Sequence, residues 1–264
     1  MNTLFFITHR TLGEEHADMV FRSISMQVTD RKFDRMIIYN SHPQELSNEH
    51  LVSLFRRHGL GRVISDVSVF DYDDRTSKSL GMDIHCIRGY CRATMNPNDR
   101  VLLLKSDCCL SRNYFDVILK IEEPRLVHFV APFVCAKKRV GDIDILKYLS
   151  RDSFIRSDEI TFFVEDSHQS KDNDFHKRLE LITDRSILYT ACTVTRDFSC
   201  HFISVELMNL IGIREQSWGG CNFSALDPYL LQSDRCFVVH KYHDIQSENR
   251  IGDREGPVKD WLNS

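Results

Sequence analysis

The chain has 264 residues and a mass of 30.9 kDa, with 42% hydrophobic and 27% charged residues. That suffices for one large domain, or a core with a small appendage, of ordinary soluble composition. A formal charge of −4 with interleaved acids and bases excludes a broad basic footprint for nucleic acid. No stretch approaches the roughly 18 uninterrupted apolar residues of a membrane span.

Met1 to Arg10 lacks a charged region followed by a long apolar one, so it reads as a first strand rather than a signal peptide. Nine cysteines without framework spacing, Cys108 and Cys109 being adjacent, are expected to be reduced thiols in a cytoplasmic compartment. Strand-like and helix-like segments then alternate. Leu4 to Thr8 is a strand, and Gly13 to Gln27 has helical spacing through Ala17, Val20, Phe21 and Ile24. Phe33 to Tyr39 is a second strand and Glu45 to His58 a second helix, closed by Gly59. Arg62 to Phe70 is a third strand, and Leu80 to Met95 a helix closed by Asn96-Pro97. Val101 to Leu104 form a continuous aliphatic run between polar residues, the mark of a strand buried on both faces of a parallel sheet. A helix-like segment, Ser111 to Glu123, follows. Such alternation indicates βαβ units, hence an α/β fold with a mostly parallel central sheet flanked by helices.

The second half is less regular. Leu126 to Cys135 is strand-like, Ile143 to Leu149 a short helix, and Glu159 to Val164 a strand. Glu165 to Lys177 is polar and loop-like, Ser186 to Val194 strand-like, and His201 to Leu210 is expected to be helical. Trp218-Gly219-Gly220 breaks the chain before a short helix from about Ser224, and Cys236 to His240 is a last apolar strand. No repeat or clear linker interrupts this order.

Asp107 stands just past the carboxyl end of the Val101 strand, where open α/β sheets bind ligands. Its alternative is to cap the Ser111 helix. The layout resembles a nucleotide-sugar glycosyltransferase of the GT-A fold. That family has a helix, then a buried strand ending in Asp-x-Asp, then a helix; the run from Leu80 through Val101–Asp107 to Asp116 follows that order. It departs at one place: Lys105 stands where the first carboxylate would be. The family's glycine pair before a Glu-Asp helix is similar to Trp218-Gly219-Gly220 followed by Leu226-Asp227, with Leu226 in place of the glutamate. A late metal-binding histidine of some members is matched by His240 and His243. Compact chains of this type also resemble enzymes carried by some large DNA viruses.

The resemblance implies one catalytic domain over residues 1–244, with a donor half at about 1–125 and an acceptor half at about 126–244, then a polar tail at 245–264. It implies transfer of a sugar from a nucleoside-diphosphate donor, UDP-sugar favoured, to a hydroxyl of a glycan or glycoprotein. Neither nucleic acid nor an integral membrane segment is expected. Charge developing on the departing diphosphate needs a cation against it. Mn2+ or Mg2+ on Asp107 with His240 or His243 would supply one, and the Lys105 ammonium could contact a phosphate directly, with Ser106 between them. Asp227 is the candidate base for the acceptor hydroxyl, which suggests inversion; the alternative is a first-turn carboxylate complementing a helix dipole. Thr8, His9, Arg10, Asn40 and Asp71 follow the first three strands, where nucleotide contacts are expected. Arg88 and Arg92 either approach the diphosphate or pair with Asp83 and Asp99. Trp218, beside Gly219 and Gly220, either stacks on an acceptor sugar or anchors the core.

Three rivals stand beside this reading. A sugar-phosphate nucleotidyltransferase would want a glycine-rich basic loop after the first strand, whereas Thr11 to Glu15 holds one glycine and two acids. A carbohydrate-binding or assembly protein that lost catalysis gains support from Lys105 and Leu226. A metal-dependent nuclease is disfavoured by net acidity.

Overall fold

The computed structural model describes residues 1–8, 13–40, 43, 46–70, 80–121, 126–131, 133–136, 141–151, 188–189, 200–213, 221–222, 224–233 and 235–241. Strand β1 (Asn2–Ile7) leads to helix α1 (Glu14–Ser25), β2 (Arg35–Tyr39), α2 (Asn48–Arg57) and β3 (Val67–Phe70). Next come α3 (Leu80–Thr94), β4 (Arg100–Lys105), β5 (Cys108–Leu110), α4 (Tyr114–Leu119), β6 (His128–Phe129), β7 (Phe133–Cys135) and α5 (Asp142–Leu149). Strands β8 (Leu188–Tyr189) and β9 (Cys200–Ser204) precede α6 (Val205–Met208), β10 (Gly212–Ile213) and β11 (Cys221–Asn222). A 3-10 helix over Ser224–Tyr229, β12 (Leu230–Gln232) and β13 (Val238–His240) complete the described chain.

Among the described residues the main sheet has eight strands in the order β3-β2-β1-β4-β9-β6-β12-β8. β3, β2, β1 and β4 are mutually parallel, with Leu4 opposite both Met36 and Leu102. Strand alternation divides their apolar runs between two cores. Leu4, Phe6, Met36, Ile38, Leu102 and Leu104 face α1, α2, α4 and α5. Phe5, Ile7, Ile37, Tyr39, Val101 and Leu103 face α3 and α6. Both faces are covered, which is why Val101 to Leu104 is apolar without interruption.

The stretch expected as a helix over His201–Leu210 is a strand first. Phe202 lies opposite Leu102 on one side and Phe129 on the other, making β9 antiparallel to both neighbours. Only Val205–Met208 is helical. His201, Phe202 and Ile203 are all buried, so long-range pairing between β4 and β6 overrides an ambiguous local pattern. Leu126–Cys135, expected as one strand, is split between two sheets as β6 and β7. The third strand begins at Val67, after a 3-10 turn at Leu60–Arg62, and the helix expected over Ser111–Glu123 spans only Tyr114–Leu119. The expected strand at Glu159–Val164, the loop at Glu165–Lys177 and the tail lie outside the described residues, and of Ser186–Val194 only β8 is described. Among the described residues no helix is long and apolar enough to cross a membrane.

β5, β13 and β7 form a separate small sheet. Its place is fixed by buried polar groups of α1 and of the residues just after it. Ser23 Oγ accepts from the Leu110 amide at 3.0 Å, and Gln27 bridges the Ser111 carbonyl (2.8 Å) and the Phe115 amide (2.8 Å). Each buried amide is thereby satisfied, and β5 is tied to the main layer.

Helices α1 and α2 are joined through Asp18, whose carboxylate meets Arg57 (2.6 Å), His58 (2.8 Å) and Arg22 (2.7 Å). Burial pushes the Asp18 carboxyl up, but the hydrogen bonds from His58 and Arg57 and the charge of Arg22 outweigh it, leaving it below the usual carboxylate range. A carboxyl depressed on folding contributes stability at neutral pH that is lost as pH falls through its native value. Asp18→Asn is expected to cost about 1 kcal/mol at pH 7, judged by urea denaturation, with the difference from wild type closing below about pH 4.

Candidate functional site

The carboxyl ends of β1, β2 and β4 lie side by side. Ile7 is in register with Tyr39 and Lys105, and the Ser106 amide donates to the Ile7 carbonyl at 2.9 Å. Thr8 and Asn40, both expected at this edge, meet there: Thr8 Oγ1 donates to Asn40 Oδ1 at 3.0 Å. Asn40 Nδ2 donates in turn to the Leu46 carbonyl (2.6 Å) and Asn48 Oδ1 (2.9 Å), tying the rim of the sheet to the start of α2.

Asp107 is 1% exposed and lies in the turn between β4 and β5. It is not a helix cap, because β5 separates it from α4, whose N-cap is Asn113. Its Oδ2 stands 3.2 Å from His240 Nε2 and 3.7 Å from Lys105 Nζ. Its Oδ1 accepts a hydrogen bond from the Cys108 thiol at 3.2 Å. Burial, then the charge of Asp107, push the Cys108 thiol well above its ordinary range, so it stays protonated and able to donate. The Asp107 carbonyl accepts from the Lys241 amide at 2.8 Å, and β5 pairs with β13 so that Cys108 lies opposite His240. Residues 133 positions apart therefore form one cluster: an anion held between an ammonium and an imidazole.

Lys105, Asp107 and His240 are brought together, although the strand ends at Lys105 and a turn, not continued alternation, brings Asp107 beside it. Asp107 and His240 carry a carboxylate and an imidazole of the kind that would hold a divalent ion, and in the structure they bond each other at 3.2 Å. Among the described residues no group of three His, Cys, Asp or Glu side chains converges in this way. His9, Arg10, Asp71, Trp218, Gly219, Gly220 and His243 lie outside the described residues.

Arg88 and Arg92 point to another part of the chain. Arg88 Nη1 donates to the Ile211 carbonyl (3.2 Å) and Arg92 Nε to Asn209 Oδ1 (2.6 Å), fastening α3 to the segment that enters β10. Asp99, a sequence candidate for pairing with them, accepts instead from the amino terminus at 2.7 Å and from the Asn96 amide at 2.8 Å. β10 pairs with β11, bringing together the chain on either side of residues 214–220. Asp227 falls within the 3-10 helix expected there; its side chain lies outside the description, while Leu226 before it is buried in the second core.

Two features were not legible as functional. Cys108 orients Asp107, and only its position on β5 reveals that. His128 and His201, from β6 and β9, stack with ring planes 7° apart and Nε2 and Nδ1 2.8 Å from each other. His128 also bonds the backbone of Leu226, under the 3-10 helix.

No protein-family model and no curated protein matches the sequence. Among solved structures, GalNAc-T7 with UDP, GalNAc and Mn2+ superposes with a TM-score of 0.54 at 15% identity, over 92% of this chain and 44% of that one. The chain has a GT-A-like glycosyltransferase fold. It spans less than half the length of that GalNAc-T7 chain. S. aureus TarS 1–349 in complex with UDP also aligns, with a TM-score of 0.49 at 12% identity, over 96% of this chain and 62% of that one. In the GT-A-like frame the Lys105–Asp107–His240 cluster occupies the carboxyl edge of the sheet, the side on which open α/β sheets receive ligands.

Proposed function

We propose that the chain is a glycosyltransferase that moves a sugar from a nucleoside diphosphate, UDP-sugar favoured, to a hydroxyl of a glycan or glycoprotein. The observation that carries the reading is the convergence of Lys105 and His240 on the buried Asp107 carboxylate, at the sheet edge where a diphosphate would lie. Residues 1–125 would bind the donor and 126–244 the acceptor. Lys105, as a point charge on a flexible stem, pairs with a phosphate oxygen of the donor. Asp107, held by Cys108 and the Lys241 amide, keeps the Lys105 ammonium and the His240 imidazole at that edge. Asp107 and His240, with His243 as a further candidate, would hold Mn2+ or Mg2+, which when bound neutralises charge on the departing diphosphate. Thr8, His9, Arg10, Asn40, Asp71 and Ser106 are assigned to the donor side, and Trp218, Gly219 and Gly220 to the acceptor; Arg88, bonded to the Ile211 carbonyl, is left out of the donor set. Asp227 takes the proton of the acceptor hydroxyl as its oxygen bonds the anomeric carbon. The bond from that carbon to the diphosphate breaks, and its electron pair leaves with the nucleotide. A single displacement of this kind inverts the anomeric centre.

A thermal-shift titration tests the donor assignment. UDP with Mn2+ is expected to raise the melting temperature, as any ligand preferring the native state must. No shift with UDP, GDP or their sugars, with or without metal, removes the reading. With a UDP-sugar that is hydrolysed or transferred, Asp227→Asn is expected to lower turnover by about 10²–10⁴-fold while UDP still shifts the melt. Unchanged turnover removes Asp227 as base. Donor binding with no turnover on any sugar or acceptor favours the carbohydrate-binding alternative, which the lysine at position 105 and Leu226 support.

A further inference from the structure

Among the described residues three groups converge on the Asp107 carboxylate, and two of them reach the same oxygen. Cys108 holds Oδ1, while His240 and Lys105 both address Oδ2. The carboxylate has little freedom to present itself elsewhere. Its backbone is pinned by the Lys241 amide, and the flanking residues by the Ser106 bond to Ile7 and the pairing of β5 with β13. The lysine side chain, on its four-carbon stem, is the part that can move. A divalent ion arriving at Oδ2 therefore meets a like charge already standing against that oxygen. The carboxylate is almost wholly withdrawn from water, so the repulsion is poorly screened.

We propose that Lys105 competes with the divalent ion for Asp107, so that ion and nucleoside diphosphate bind as a coupled pair. The proposal rests on the donor reading above for its second ligand only. Without nucleotide, the ammonium stays on the carboxylate and the ion binds weakly. A diphosphate offers Lys105 a new anionic partner and offers the ion further oxygen ligands. The lysine leaves Asp107 as the ion arrives. Because the coupling is a free energy shared by both ligands, each must tighten the other by the same factor. A second carboxylate at position 105 would instead add to the ion's affinity in the free protein, so the lysine converts a standing ion site into a conditional one.

The test measures Mn2+ alone, through loss of the electron paramagnetic resonance signal of the free aqueous ion, on the full chain as wild type, Lys105→Met and Lys105→Arg. Without nucleotide, K105M is expected to bind Mn2+ about 10-fold tighter than wild type or better, while K105R stays within about 3-fold of it. Saturating UDP is expected to tighten Mn2+ by about 10-fold or more in wild type, and by much less in K105M. Equal Mn2+ affinities of wild type and K105M in the absence of UDP overturn the proposal. So does wild type that binds UDP yet holds Mn2+ equally with and without it, or failure of every form to take up Mn2+ under either condition. If UDP does not bind at all, the donor reading fails, and the nucleotide-free comparison of wild type, K105M and K105R still decides whether lysine and ion compete. K105R keeps the charge and K105Q offers a second neutral side chain, so a folding defect confined to K105M does not spare the proposal.

Discussion

Asp107→Ala is expected to lower nucleotide-sugar turnover by at least about 10³-fold and to destabilise the fold as well. Removing this carboxylate leaves an ammonium and an imidazole facing each other in a mostly buried place. Breaking a buried ion pair from one side costs about 3–5 kcal/mol. The lower end applies here, because Lys105 and His240 keep some access to water, at 16% and 13% exposure. About 3 kcal/mol in a chain of this size corresponds to a fall of roughly 6–12 °C in melting temperature. Asp107→Asn preserves shape and one acceptor oxygen, so it should lose turnover to a similar degree with a smaller thermal penalty. Near-normal turnover in Asp107→Asn would contradict any role for the negative charge. A large thermal loss with intact turnover would assign the residue to structure alone.

Mild acid should unfold the protein through His128. Burial, followed by the neighbouring His201, holds this imidazole well below the ordinary histidine range, against the opposing effect of its bond to the Leu226 backbone. The native state thus keeps His128 neutral where the unfolded chain, below about pH 6.5, takes up a proton. With more protons bound in the unfolded state, stability rises with pH through this window and levels off above it. As pH falls below about 6.5 the loss approaches about 1.4 kcal/mol per pH unit from this group. His85, depressed by burial and by Arg88 and Arg92, adds in the same direction. Urea denaturation of wild type and His128→Gln between pH 5 and 8 measures this. The variant should be less stable at pH 7 but flatter with pH, and equal slopes would show that the acid sensitivity lies elsewhere.

The first half of the fold was legible because its elements carry strong periodicity. Helices α1, α2 and α3 and strands β1, β2 and β4 lie within a few residues of their expected places, and the two-sided burial of Val101 to Leu104 predicted the centre of the sheet. β9 was misread because His201 to Met208 offers apolar residues to either period, and only the flanking strands decide the matter. β5 was invisible: three residues give no pattern, so the helix that follows looked near enough for Asp107 to cap. The Lys105–Asp107–His240 cluster was legible as a set of chemical types but not as a geometry. The thiol that orients the carboxylate had no signal at all, since a buried cysteine in sequence is a small apolar residue. The histidine pair failed to register for a related reason. Its members are 73 positions apart and meet only through the register of β6 and β9.

The short β5–β13 ladder also bears on how the molecule comes together. It joins positions 108 and 240, a loop far longer than those closing β1 onto β2 or β4, and three residue pairs must repay that entropy. The central parallel strands can assemble from sequence-local neighbours, whereas the Lys105–Asp107–His240 cluster waits for β13 to dock in register. A slip of one place along that ladder would turn the His240 imidazole to the opposite side. Protein that has regained its secondary structure is accordingly not yet protein in which Asp107 has met His240.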